Sequence, residues 1–161
     1  MALERAFHRY ALHADVPATE VAVLRDALDG DDLRLKDRIG KAEVEAQLAE
    51  QRLDLDATPA EPWTDFGRDV EGLSTFLSEP LVARELHAEP SPSGPRLSGF
   101  RYLARRGQVT RLALLVDWDD AKGTVIDRGV DMEAARERWA ELPAWVQATL
   151  QHGHTGADDE P

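Results

Sequence analysis

The chain predicts a single α+β domain, in which a small antiparallel sheet, built on a meander at about residues 98–130 with one or two further strands, is covered by several helices. Three observations carry this. Val109 to Trp118 is an apolar, β-rich run bounded by Arg106-Gly107-Gln108 and by Asp119-Asp120-Ala121-Lys122-Gly123, the pattern of a strand between two turns. Trp63, Phe66, Val70, Leu73 and Leu77 recur at intervals of three and four, the period of a helix with one buried stripe. At 161 residues with 42% hydrophobic content, the chain is long enough for one domain with its own core and shows no internal division.

In chain order, Arg5 to Asp15 fits a helix through Leu3, Phe7, Tyr10 and Ala14, and a strand through His8, Tyr10 and Leu12. The strand is preferred because Asp15-Val16-Pro17 then hands over to a helix with Pro17 near its first turn. That helix spans about Ala18 to Leu28, with Val21, Leu24 and Leu28 inward, and stops at Asp29-Gly30. Leu33, Leu35 and Ile39 suggest a short strand. Lys41 to about Leu53 is rich in helix formers, with Val44 and Leu48 inward. Ala57 to Pro62 is a turn, and the Trp63 helix follows, weakened at Gly67 and Gly72 by roughly 1 kcal/mol each relative to alanine. Leu81 to Ala88 alternates as a strand does, although Pro80 could equally open a short helix. Glu89 to Ser98, with its prolines, serines and glycine, is an exposed loop.

In the meander, a three-residue loop at Arg106-Gly107-Gln108 puts Phe100, Tyr102 and Ala104 on one buried face with Thr110, Leu112, Leu114, Val116 and Trp118. Arg101, Arg105 and Arg111 then project from the opposite, solvated face, with Arg106 at the loop tip. Lys122-Gly123 closes a second turn and returns the chain through Thr124 to Val130. Asp131 is placed to cap a helix with Met132, Ala135, Trp139 and Leu142 inward. Pro143 interrupts it, and Trp145, Val146 and Leu150 continue. Residues 1–151 form the domain and 152–161 a disordered acidic tail.

The net charge is −12, yet residues 96–130 net +3 between flanks of −10 and −5. Such acidity opposes phosphate, so nucleic acid is not an expected partner except through the arginine ribbon. The absence of cysteine excludes disulfides, thiolate metal sites and a cysteine nucleophile. No apolar run approaches 18 residues and no apolar leader is visible, so neither a membrane nor a signal peptide is indicated and the default address is cytoplasmic. Nucleotide-binding glycine loops and the nucleophile-elbow motif are missing.

These facts point to a noncatalytic protein-binding factor, of adaptor, inhibitor or immunity type, that docks a basic partner by charge complementarity and needs no cofactor or metal. Its candidate contacts are Arg101, Arg105, Arg106, Arg111 and Trp145, residue types that dominate interface energetics. The bland reading of the same arginines is a solvated face that pairs with the chain's own acids. Opposite charges on one chain also permit a homo-oligomer. One alternative is a Mg²⁺-dependent phosphodiesterase or nuclease using Asp117, Asp119, Asp120 and Lys122, with the arginine ribbon gripping phosphate. Another is a structural subunit of a larger assembly. The histidines suggest no metal site: His8 and His13 point to opposite faces of a strand, His87 stands alone, and His152 and His154 sit at the tail.

Overall fold

A computed structural model of the protein describes residues 3–30 and 39–152. Six strands form one antiparallel sheet, curled into a half-barrel. They are β1 (Phe7–Asp15), β2 (Arg52–Ala57), β3 (Leu81–Glu89), β4 (Arg96–Arg105), β5 (Gln108–Asp119) and β6 (Thr124–Val130), in the order β2-β1-β3-β4-β5-β6. The helices are α1 (Val21–Asp29), α2 (Lys41–Ala49), α3 (Phe66–Ser74), α4 (Met132–Glu137) and α5 (Ala144–Gln151). The expected small sheet is therefore corrected to a large one: the meander contributes three of six strands.

Missing β2 accounts for much of the difference. The helix expected to reach Leu53 ends at Ala49, because Gln51 adopts φ 58° and redirects the chain. Leu53 and Leu55 then face inward while Asp54 and Asp56 face out. Of the two ambiguous stretches, 5–15 forms β1 from Phe7 on and 81–88 forms β3, and the two pair with each other as interior strands of the sheet.

Paired residues in an antiparallel sheet share a face, so the register divides the molecule into a front and a back. The front carries Tyr10, Leu12 and Ala14 of β1, Leu53 and Leu55 of β2, Leu81 and Ala83 of β3, and Tyr102 and Ala104 of β4. Leu24 and Leu28 of α1, Val44 and Leu48 of α2, and Phe66, Val70 and Leu73 of α3 complete this core. Ile39 packs against it, whereas Leu33 and Leu35 lie outside the described residues. The back carries a second core, in which Leu86, Leu103, Leu112, Leu114, Val125 and Val130 meet Ala135, Leu142, Val146 and Leu150. Asp131 caps α4 by accepting from the Ala134 N–H at 3.1 Å. Helices thus cover both faces.

The β4–β5 hairpin departs from expectation by a single residue with large consequences. Arg106 and Gly107 both have positive φ, 50° and 83°, the geometry of a two-residue hairpin loop. Arg105 therefore pairs with Gln108, Tyr102 with Arg111 and Arg101 with Leu112. Shortening the loop from three residues to two moves β5 over by one relative to β4, so every side chain changes its companions. Leu112 and Leu114 are buried on the back with Leu103, while Phe100, Tyr102 and Arg111 share the front. No helix among the described residues is long and apolar enough to cross a membrane, and residues 153–161 of the expected tail lie outside the described set.

Candidate functional site

On the front of the sheet, the in-phase positions of four neighbouring strands change from apolar to polar. His8 of β1 stands opposite His87 of β3, and Tyr102 of β4 stands opposite Arg111 of β5. Glu85, two residues before His87, shares their face. These side chains line one open pocket of about 430 Å³. Its wall is Trp63, which precedes α3, and Phe66, the first residue of α3: the two rings pack edgewise at 4.9 Å, and Tyr10 lies 5.6 Å from Trp63 and 4.9 Å from Phe66. The wall is anchored twice, by the Trp63 backbone N–H donating to the Tyr10 hydroxyl and the Trp63 indole donating to Asp69, each at 2.8 Å. Gly67 has a role here beyond its poor helix propensity. A Cβ on it would come within 3.3 Å of the Tyr102 ring, so glycine lets α3 approach the floor.

Hydrogen bonds join the floor into a chain. His8 and His87 face each other through their Nδ1 atoms at 2.9 Å, His87 Nε2 lies 2.7 Å from Glu85 Oε1, and the Tyr102 hydroxyl donates to Glu85 Oε2. Burial pushes the Glu85 carboxyl up, but the hydrogen bonds from His87 and Tyr102, together with the charges of His87 and Arg111, hold it below its ordinary value. Burial, then the bond to Glu85, pushes the Tyr102 phenol well above its usual value, so it remains a donor. An ionised Glu85 only accepts, which makes His87 Nε2 a donor; in a neutral ring His87 Nδ1 then accepts from His8 Nδ1–H. With His87 neutral, His8 Nε2 is left as an acceptor, and His8 makes no other hydrogen bond among the described residues. At the far end, the Arg111 guanidinium lies 4.4 Å over the Phe100 ring.

Burial, followed by the neighbouring His87, lowers the His8 pKa, with Glu89 and Glu61 acting against them. The folded protein therefore resists protonating His8, while the unfolded chain binds that proton at the ordinary imidazole value. Stability contributed by His8 is full above that value and is lost as pH falls through the folded pKa. Thermal melts between pH 5 and 8 are expected to show this loss in the wild type and a flatter profile in His8→Gln, with an unchanged slope refuting the assignment.

The five residues expected to form a binding surface are not on one surface. Arg111 enters the pocket, and Arg105 and Arg106 are exposed at the β4–β5 turn. Trp145 is half-buried against the back core. Arg101 is 2% exposed, with one guanidinium nitrogen 2.8 Å from Asp127, which also receives Arg84 at 3.0 Å. Its placement on a solvated ribbon is thus corrected, and the expectation of internal pairing with acids describes it better. The Asp117 carboxylate pairs with Arg128 at 2.8 Å, Asp119 accepts the Lys122 backbone N–H, and Asp120 accepts the Trp118 indole. Among the described residues no group of three or more His, Asp or Glu is placed to hold a metal. His87, expected to stand alone, faces His8 across the β1–β3 ladder, and Glu85 was not singled out in the sequence. Their signal was weak but present: polar residues at the apolar phase of two alternating strands, Leu81-x-Ala83-x-Glu85-x-His87 and His8-x-Tyr10-x-Leu12. No protein-family model, curated protein or solved structure matches the chain.

Proposed function

We propose that the protein is a cytoplasmic receptor for a small polar ligand, held in the front pocket between the α3 aromatic wall and the polar floor. One observation carries this: linked histidines, a carboxylate and a phenol occupy strand positions whose neighbours are apolar, beneath an opening of about 430 Å³. Partly burying such groups costs stability relative to apolar replacements of similar shape. Perturbed titratable groups gathered in a cleft are the physical mark of a binding or reactive site. The opening is of a size that takes a compact molecule, and its lining offers donors at Arg111 and Ser98 and acceptors at His8 and Glu89.

Isothermal calorimetry against a set of small acids, amines and amino acids tests the proposal. At least one compound is expected to bind saturably, and Arg111→Gln to weaken an anionic binder about tenfold or more, roughly 1.4 kcal/mol. Arg111 is exposed, so the melting temperature should not move. A set in which nothing binds, or binders indifferent to the pocket's residues, contradicts the proposal.

A second reading, docking on a basic protein as adaptor, inhibitor or immunity-type factor, is favoured by the net charge of −12. The two separate on salt. A docking interface driven by charge weakens steeply between low and physiological ionic strength, whereas binding inside the pocket is screened less.

A further inference from the structure

Taking the pocket as a ligand site, we infer that its ligand is a zwitterion, an amino-carboxylate whose anionic end meets Arg111 and whose ammonium end meets His8 and Glu89. The pocket is electrically lopsided. Arg111 marks its β5 end, where the guanidinium lies over Phe100 and forms no carboxylate ion pair among the described residues. The guanidinium also donates to the Tyr102 hydroxyl, and its remaining N–H groups, held over the Phe100 ring, suit a carboxylate.

The other end has the opposite character. Glu89 lines the pocket on the same face of β3 as His87, and both Glu89 and Glu61 lie close enough to be felt by the His8 ring. Arg96 stands opposite Glu89 on β4 without forming an ion pair with it among the described residues. His8 lines the pocket at this end and, with His87 neutral, its Nε2 is the acceptor left over by the hydrogen-bond chain. An ammonium group supplies three N–H donors and a positive charge, and so satisfies the imidazole lone pair and the carboxylate together. A carboxylate there would face Glu89, and an amine at the β5 end would face Arg111, so orientation is set by repulsion as well as attraction.

Spacing sets the ligand's length. His8 and Arg111 belong to strands three intervals apart, about 14 Å of backbone at ~4.8 Å per interval. That spacing matches two charges separated by a short methylene chain better than the adjacent charges of an α-amino acid. The central donors and acceptors of Glu85, His87 and Tyr102 are largely consumed by one another, so an unfunctionalised linker fits the middle of the pocket.

Calorimetry with ε-aminocaproate, hexanoate and hexylamine tests this on the full chain. The zwitterion is expected to bind about tenfold or more tightly than either single-ended compound. Arg111→Gln should reduce it to the affinity of hexylamine and Glu89→Gln to that of hexanoate. Both residues are exposed, and unchanged melting curves will show that the variants are folded. If hexanoate or hexylamine binds as tightly as ε-aminocaproate, the zwitterion is wrong and the pocket reading stands. If none of the three binds, the zwitterion is again wrong. The pocket reading falls with it only when the broader set of acids, amines and amino acids also fails.

Discussion

Replacing Asp127 with alanine is expected to destabilise the protein by about 3–5 kcal/mol, the cost of leaving a buried charge without its partner. The Asp127 side chain is 3% exposed and accepts from Arg101, from Arg84 and, at 2.7 Å, from the Gly129 backbone N–H. Arg84 and Arg101 are directly opposite each other on β3 and β4, so without the carboxylate two guanidiniums confront one another across a ladder. Arg84 is a quarter exposed and can turn to water. Arg101 cannot, and its Nη1 already has no hydrogen-bond partner among the described residues. Urea unfolding should show a lowered midpoint with little change in slope. Combining Asp127→Ala with Arg101→Met is expected to recover most of the loss, because the methionine fills the space without the charge. A double variant as unstable as the single one would contradict this account of the back face.

Phe66→Ala is expected to cost a similar ~3–5 kcal/mol, through the transfer term and the cavity left behind. Phe66 is 1% exposed, and its ring touches three others, Tyr10 and Trp63 at 4.9 Å and Tyr102 at 5.6 Å. It joins the α3 wall to the floor, so its loss should also weaken whatever binds in the pocket. Phe66→Leu keeps much of the volume and should cost less than about 1.5 kcal/mol. The two variants together distinguish packing from ring-specific contacts, and differential scanning calorimetry reads both. Equal, small effects in both variants would show that the wall does not hold the helix.

How much of this was legible in the sequence follows from where the determining contacts lie. Local periodicity was enough for α3, whose Phe66, Val70 and Leu73 are all buried, and for the two strands of the β4–β5 hairpin. It was not enough for β2, because Glu50-Gln51-Arg52 contains no glycine or proline; the left-handed turn there is supplied by Gln51 at φ 58°. Arg106-Gly107 is an uncommon pair for a two-residue hairpin loop, where asparagine or aspartate usually precedes the glycine. Reading it as one residue longer put Arg101 in solvent and Arg111 beside it, when the first is buried on the back and the second lines the front pocket.

The site itself needed tertiary information. His8 and His87 are 79 positions apart and meet only because β1 and β3 pair across the intervening α1, α2, β2 and α3. Nothing local couples them. Glu85 and His87 are two apart on one strand, which was visible, but two polar residues at the apolar phase of a strand also describe an edge facing water. Burial decides between these, and burial comes from α3, whose glycine-mediated approach to Tyr102 depends on the whole front core.

Residue-resolved NMR during ligand titration tests the central claim most directly, namely that function resides in the polar chain on the front of the sheet. Saturable shifts are expected in the imidazole nitrogens of His8 and His87 and in the backbone amides of Glu85, Tyr102 and Arg111, with the hairpin tip unmoved. Shifts confined to Arg105, Arg106 and the back-face helices, with both imidazoles silent, would contradict it.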